Sequence, residues 1–256
     1  MSKQSSLYPE ILFHFTSKDG LFGLLGDTFR VSYGREKIVG KKSTREFGVP
    51  MISFCDLRLS ELKNHMNNYG KYGIGLNKKW ANKKGLNPVW YVNNNCDFAD
   101  NFNDALNGIY RHMNTVSDGD IFQMLSNEYM KIIDTYRYIK NYQGNLTRNG
   151  STIKNFRFAD EREWRYVPPL TTPDVLPFVP ITRIKTKKQK AEHNHQISHL
   201  KLHFQPEDIK YLIVESEDNI VELVNHLRVV KNRFSQHDID RLSSRILTAE
   251  QIHNDV

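Results

Sequence analysis

The residues best suited to chemistry fall in a few short phrases. In Glu161-Arg162-Glu163-Trp164-Arg165, alternation along a strand would put two carboxylates and a guanidinium on one face. Such charges are costly to bury unless they meet water or a ligand. A carboxylate held by an arginine can orient a hydroxyl or stabilise a cationic transition state. The bland counterpart is a solvated edge whose ion pair is worth under about 1 kcal/mol. His14-Phe15-Thr16 likewise places an imidazole and a hydroxyl on one strand face. They could bond a ribose or an amide, or the imidazole could simply satisfy a backbone carbonyl. Tyr69 to Gly75 holds three glycines, Gly70, Gly73 and Gly75. Glycines let a backbone approach a ligand closely, and Tyr72 could stack on a ring. A helix end at Gly70 followed by a tight strand entry explains them equally well.

Other patterns argue against particular chemistries. His195, His199 and His203 would align only on a helix, whereas Leu200, Leu202 and Phe204 alternate as a strand, so no metal site is expected. Neither GxSxG nor a P-loop occurs, and no GxGxxG follows a strand. Cys55 and Cys96 are the only cysteines. That argues against a disulfide framework or a cysteine zinc site, and Cys55, in an apolar run, reads as a packed thiol. Lys187, Lys188 and Lys190 sit in a basic stretch that reads as a solvated loop able to touch nucleic-acid phosphate.

The elements that must position these residues are strands separated by helices of unequal length. Apolar runs predict strands at Ile11–Thr16, Phe29–Tyr33, Pro50–Asp56, Pro88–Val92, Glu163–Val167 and Tyr211–Val214. Ser17, Ser60 and Asn77 are placed to cap helices, and Ile220–Val230 and Ala249–Val256 read as two more. Apolar residues at helical spacing make residues 99–140 a helical insertion. Residues 34–48 and 141–155, charged or polar and glycine-bearing, read as loops. The expectation is one α+β domain over residues 1–256, with a mixed or antiparallel sheet core.

Composition agrees with a globular chain, at 39% hydrophobic and 25% charged residues. No run of 18 apolar residues suggests a membrane span, and Met1–Ser6 lacks the apolar core of a secretory signal. A reducing cytoplasm is the expected compartment. The net charge of +7, concentrated near Lys185–Lys190 and Arg228–Arg233, is compatible with an anionic partner.

Seven phrases line up in order: Phe13–Thr16, Val49–Asp56, Tyr69–Leu76, Trp80 with Gly85–Val89, Glu161–Arg165, Pro206–Val214 and Leu247–Ile252. Together they resemble the AbiGi family of abortive phage-resistance proteins, often labelled the antitoxin of a two-part system. That resemblance implies a phage-defence role with a partner toxin or a phage-derived trigger protein. A second resemblance is to the ADP-ribosyltransferase superfamily, which implies NAD as co-substrate and a sheet core of that type. It would make Glu163 the catalytic carboxylate with Glu161 as helper, and put His14, Thr16, Ser53, Tyr72 and Arg165 on the cofactor side. In that case His14 and Glu163 should line one cleft. The alternative is a non-enzymatic antitoxin or regulator that binds a toxin or DNA. An exposed apolar patch would favour the alternative.

Overall fold

The computed structural model describes residues 9–148, 150–232 and 234–255. Residues 1–8, which include the Met1–Ser6 stretch read above, and Asn149, Arg233 and Val256 lie outside the described residues.

The chain opens with β1 (Ile11–Thr16) and α1 (Lys18–Gly26), where the Ser17 hydroxyl accepts the Gly20 N–H as the expected cap. β2 (Phe29–Arg30) leads into β3 (Ser32–Val39) and β4 (Thr44–Cys55). These last two strands pair from Ser32↔Met51 to Val39↔Thr44 across residues expected to be a loop. Three consecutive charges, Arg35, Glu36 and Lys37, lie between buried Tyr33 and Ile38, and Lys37 pairs with Glu46 across the strands at 2.7 Å.

α2 (Leu62–Tyr69) follows a 3-10 turn at Leu59–Glu61, not a Ser60 cap. It stops at Gly70, whose φ is +109°. A Cβ at Gly70 would stand 2.6 Å from the Thr16 carbonyl oxygen, so both dihedral and contact demand glycine. β5 (Tyr72–Asn77) and α3 (Lys78–Lys83) come next, with the Asn77 side chain accepting the Trp80 N–H. Then come β6 (Asn87–Pro88), β7 (Trp90–Val92), and the helical hairpin α4 (Phe98–Thr115) and α5 (Gly119–Tyr136).

β8 (Ile139–Asn141) pairs with β7 in parallel. β9 (Gly144–Arg148) and β10 (Ser151–Phe156) form a separate two-stranded ribbon. It falls where a loop was expected, because its mostly exposed strands bury too little to show apolar alternation. β11 (Glu163–Tyr166) and β12 (Val179–Pro180) precede α6 (Lys187–Gln196). The basic stretch is thus a helix and not a loop. Thr186 and Gln189 form a reciprocal capping box that fixes its start. β13 (Lys201–Leu202), β14 (Ile209–Val214), α7 (Asp218–Val230), α8 (Gln236–Ser243), β15 (Ile246–Thr248) and α9 (Ala249–Asp255) complete the chain.

Among the described residues, nine strands form one mixed sheet in the order β15-β14-β5-β1-β4-β11-β6, with β3 and β12 also on β4. Its pairings are antiparallel except β14 with β15. One face carries Leu12, Ile74 and Leu76 into a core with Leu21 and Leu25 of α1 and Leu223 and Leu227 of α7. The other face buries Phe13, Phe15 and Ile213 with Leu62 and Met66 of α2 and Ile252 of α9. The fold is α+β, and no helix among the described residues is long and apolar enough to cross a membrane.

The α4–α5 hairpin joins the body only at its base. The buried residues of α4 are Ala99, Asp100, Asn103 and Leu106, and those of α5 are Ile133 and Tyr136. Asp100 takes N–H bonds from Lys41 and Ser43 and the Ser43 hydroxyl, at 2.6–2.9 Å, which locks α4 to the β3–β4 turn. Residues 107–132 form an arm with no buried side chain.

Candidate functional site

β1 and β4 pair at Phe13↔Cys55 and then part. A cleft of about 580 Å³ opens where they diverge. His14 and Thr16 line one wall, Met51, Ile52 and Ser53 the other, and Arg30 and Arg148 also border it. His14 Nδ1 lies 2.8 Å from the Ser53 carbonyl oxygen, so an imidazole bonds a carbonyl that β1 has left behind. A carbonyl only accepts, so Nδ1 carries the proton and Nε2 remains an acceptor. Burial holds the ring below the usual histidine range, and it is neutral near pH 7.

Behind Ser53 runs a buried ladder of alternating charge. The Ser53 hydroxyl donates to Glu163 Oε1 at 2.8 Å. Arg165 Nε donates to the same oxygen at 2.7 Å, and Lys140 Nζ reaches Glu163 Oε2 at 2.6 Å. Arg165 also pairs with Glu36 at 3.0 Å and donates to the Arg137 carbonyl at 2.8 Å. Lys140 bonds Glu161 at 3.3 Å, and Glu161 in turn accepts the Tyr69 hydroxyl. The Arg165 side chain is 0% exposed and that of Glu163 6%. Despite this burial, Arg165 and Lys140 hold the Glu163 carboxyl far below the ordinary carboxylate range. Glu161, with fewer cations around it, is pushed up by burial.

These positions differ from the solvated edge that is the bland reading of Glu161–Arg165. Trp164 and Tyr166 pack toward the core that holds α1, while Glu163 and Arg165 face the other way, where β8 and its Lys140 lie. Glu161 sits in a 3-10 turn, Phe158–Glu161, and not in the strand. Arg162 follows in the left-handed region, at φ 44°, and this turns the Glu161 carboxylate back onto the same cluster. Glu161, Glu163, Arg165 and Ser53 therefore come together. His14 and Thr16 join Ser53 at the cleft, but Glu163 stands one hydrogen bond behind it, with both oxygens engaged. Tyr72 lies elsewhere, its hydroxyl 3.1 Å from Asn219 of α7. Tyr69 stands in the glycine-rich phrase without a role there, and the site members absent from the sequence expectations are Glu36, Lys140 and Arg148. Their segments read as loop or helix, and only the tertiary fold brings them in. Lys187 and Lys188 are exposed on α6, Lys190 is half-buried, and His195, His199 and His203 are exposed. Among the described residues, no three His, Cys, Asp or Glu side chains are placed to hold a metal ion.

Tyr69 forms the outer end of the ladder. His65 stacks on it with ring centres 4.3 Å apart, and the Arg148 guanidinium lies 4.2 Å over its ring. Burial, with Arg148 and Lys140 nearby, pushes the His65 imidazole down to about 3. Its folded value thus lies below its unfolded one. The unfolded chain binds the extra proton, so the contribution is intact above about pH 6.5 and is lost as pH falls. Between pH 6.5 and 5 this group alone should cost about 2 kcal/mol of stability. His65→Phe keeps a ring against Tyr69 and removes the titration. In urea melts at pH 7 and pH 5, the variant should lose about 2 kcal/mol less than the parent. Equal losses would refute the assignment.

Sequence comparison supplies what geometry cannot. The family described as "Putative abortive phage resistance protein AbiGi, antitoxin" matches residues 27–215. An "Abortive phage resistance protein AbiGi" from Lactococcus lactis subsp. cremoris is 27% identical over 236 residues, covering 85% of this chain and 93% of that protein. No solved structure matches the fold. The match over residues 27–215 takes in the β4 wall of the cleft, the charge ladder and the helical arm, and the chain belongs to the AbiGi family of abortive phage-resistance proteins.

Proposed function

We propose that the chain is the antitoxin of a two-part abortive-infection system, and that it silences a basic partner protein by holding it on the α4–α5 arm. One observation carries this reading. The arm's distal half exposes Tyr110 (53%), Ile121 (45%), Phe122 (42%) and Met124 (56%), large apolar side chains on a segment with no buried residue. Charge points to the kind of partner. In residues 107–132 the carboxylates Asp118, Asp120 and Glu128 stand against Arg111 and Lys131, with Asp104 just below them on α4. An acidic arm on a chain of net charge +7 fits a positively charged surface. The family's antitoxin description supports the same role.

Ribosyl transfer from NAD would use the cleft instead. His14, Thr16 and Ser53 on its walls favour that reading. Against it, Glu163 is sequestered behind Ser53, where a reacting ribose would not reach it. The test is to purify the full chain with the protein encoded beside it and follow complex formation by size exclusion and calorimetry. A complex that weakens with salt, and is lost when residues 107–132 are replaced by a short Gly-Ser turn, supports the arm. A complex that survives this replacement refutes it. So does self-association through the arm, or NAD consumption by the chain without any complex.

A further inference from the structure

The chain's positive charge is segregated. Residues 181–206 hold six lysines and arginines against a single carboxylate, Glu192, and supply most of the net charge of +7. Arg183, Lys185, Lys187 and Lys188 crowd into six consecutive residues, and all four are exposed. Among the described residues, none of the four forms an ion pair with a carboxylate. Exposed lysines elsewhere do: Lys18 pairs with Glu222 at 2.6 Å, Lys37 with Glu46 at 2.7 Å and Lys71 with Glu215 at 2.8 Å. Like charges this close in sequence repel, and no neighbouring carboxylate relieves them.

Folding does not explain these cations. Lys187 and Lys188 stand in the first turn of α6, where the helix dipole disfavours positive charge. α6 contains no buried residue and is tied to β3 by polar contacts. Arg35 donates to the Ile184 and Thr186 carbonyls at 2.7 and 3.1 Å, and the Asn194 side chain accepts the Tyr33 N–H at 2.8 Å. Lys190, His193 and Asn194 are partly covered, whereas Lys187, Lys188 and His195 are left to solvent. Between residues 181 and 206 no large hydrophobic side chain is exposed, and the one aromatic, Phe204, is buried.

That composition selects among polyanions. A protein interface is anchored by aromatic or large apolar side chains and is depleted in lysine. A membrane-surface helix needs an apolar face to insert. A single strand of nucleic acid is held on aromatic platforms that stack its bases. None of these is offered here, and unpaired cations are what a duplex backbone requires. The major groove of A-form RNA is too narrow for a helix, whereas that of B-form DNA admits one. We infer that Arg183–Lys188 and the outward face of α6 bind the phosphate backbone of double-stranded DNA without reading its sequence. Gln189 and Asn194, which could read base edges, are spent on the capping box and on Tyr33. The inference rests on neither functional reading above. α6 lies beside Tyr33 and Arg35, and the arm is rooted at Lys41 and Ser43, about 20 Å further along the same hairpin. A duplex and a partner protein therefore do not compete for one end of β3.

The test is fluorescence anisotropy of the full chain with a labelled DNA duplex of mixed sequence, from about 50 to 200 mM salt. Binding should weaken about fifty- to one-hundred-fold across that range, as expected for about three to four phosphate contacts. Lys187→Gln with Lys188→Gln should weaken it at least about ten-fold and lower the salt slope by about two. Lys42→Gln with Lys63→Gln removes the same charge at the far end of β3 and on α2, across the sheet. That pair should change the affinity less than about two-fold. Glu192→Gln removes the segment's one carboxylate and should tighten binding about two- to five-fold. All these side chains lie at the surface, so the melting curves should not move. No binding at about 50 mM salt overturns the inference. So does an affinity that salt leaves unchanged, or one that falls equally in the Lys42 and Lys63 pair. Tighter binding of a single strand, of duplex RNA or of phosphatidylserine vesicles overturns it as well, by putting that partner in place of duplex DNA.

Discussion

Arg165→Met is expected to cost about 3–5 kcal/mol of folding stability, the largest loss from any single substitution considered. The guanidinium is fully buried and serves three groups at once: Glu163 at 2.7 Å, Glu36 at 3.0 Å and the Arg137 carbonyl at 2.8 Å. Methionine fills much of the volume but strips Glu36 of this partner and leaves Glu163 with Lys140, which Glu161 shares. An unpaired buried charge is far more costly than the pair is favourable, so the loss measures the orphaned carboxylates and not the bond itself. Total stability of an ordinary domain is about 5–15 kcal/mol, so the variant should melt much earlier or fail to accumulate. Glu163→Gln should cost less, because it keeps the shape and still accepts from Ser53 and Arg165. Joining the two changes should recover part of the Arg165→Met loss, since the charge that variant strands is then gone. The parent's advantage over Glu163→Gln should narrow below about pH 4. Glu163's folded value is depressed, so its contribution is present above the unfolded value and fades as acid approaches the folded one. Urea melts of the three variants decide the matter. A parent-like midpoint for Arg165→Met would mean that the ladder does not support the fold.

That network shows where a sequence is legible and where it is not. Ile11–Thr16, Glu163–Tyr166 and Ile209–Val214 announce themselves as strands because the sheet interior selects β-branched and aromatic residues. Ser17 and Asn77 mark helix starts because their side chains satisfy N–H groups only a few residues away. The ribbon at 144–156 leaves no such trace. A strand solvated on most of its surface needs no apolar alternation, and its polar, glycine-bearing sequence is that of a loop. α6 is polar all round and is visible only through its capping box. The site divides along the same line. His14, Glu161, Glu163 and Arg165 stand out because chemistry-bearing types cluster within short phrases, whereas Ser53 enters only through the transferase resemblance. Their exposure did not, and β11 read as an edge although β6 flanks it and β8 supplies Lys140 to its buried face. Glu36, Lys140 and Arg148 contribute through space, from segments with no local reason to be singled out. A long-range ion pair has no period and no spacing.

The second large effect is on binding and not on folding. Ile121→Ser, Phe122→Ser and Met124→Ser together should abolish partner binding while the melting curve stays within about 0.5 kcal/mol of the parent, because exposed side chains add little to the fold. Each is more than 40% exposed in the free chain, so none of the three is needed to close the core. On a partner they would become the desolvated centre of an interface, where an aromatic or large apolar anchor is worth about 2 kcal/mol or more. Loss of two such anchors weakens binding about a thousand-fold, enough to release a partner at cellular concentrations. Asp118→Lys with Asp120→Lys should act differently, since both lie at the arm's tip, where the partner first meets its field. Reversing them should slow association and flatten its salt dependence, with a smaller change in dissociation. The readout in cells is growth under expression of the protein encoded beside this chain. The parent should protect, the apolar triple variant should not, and Arg111→Ala should protect as well as the parent. A triple variant that still protects and still forms the complex would take the interface off the arm, and with it the reason for an acidic, apolar-tipped hairpin anchored through Asp100 to the β3–β4 turn.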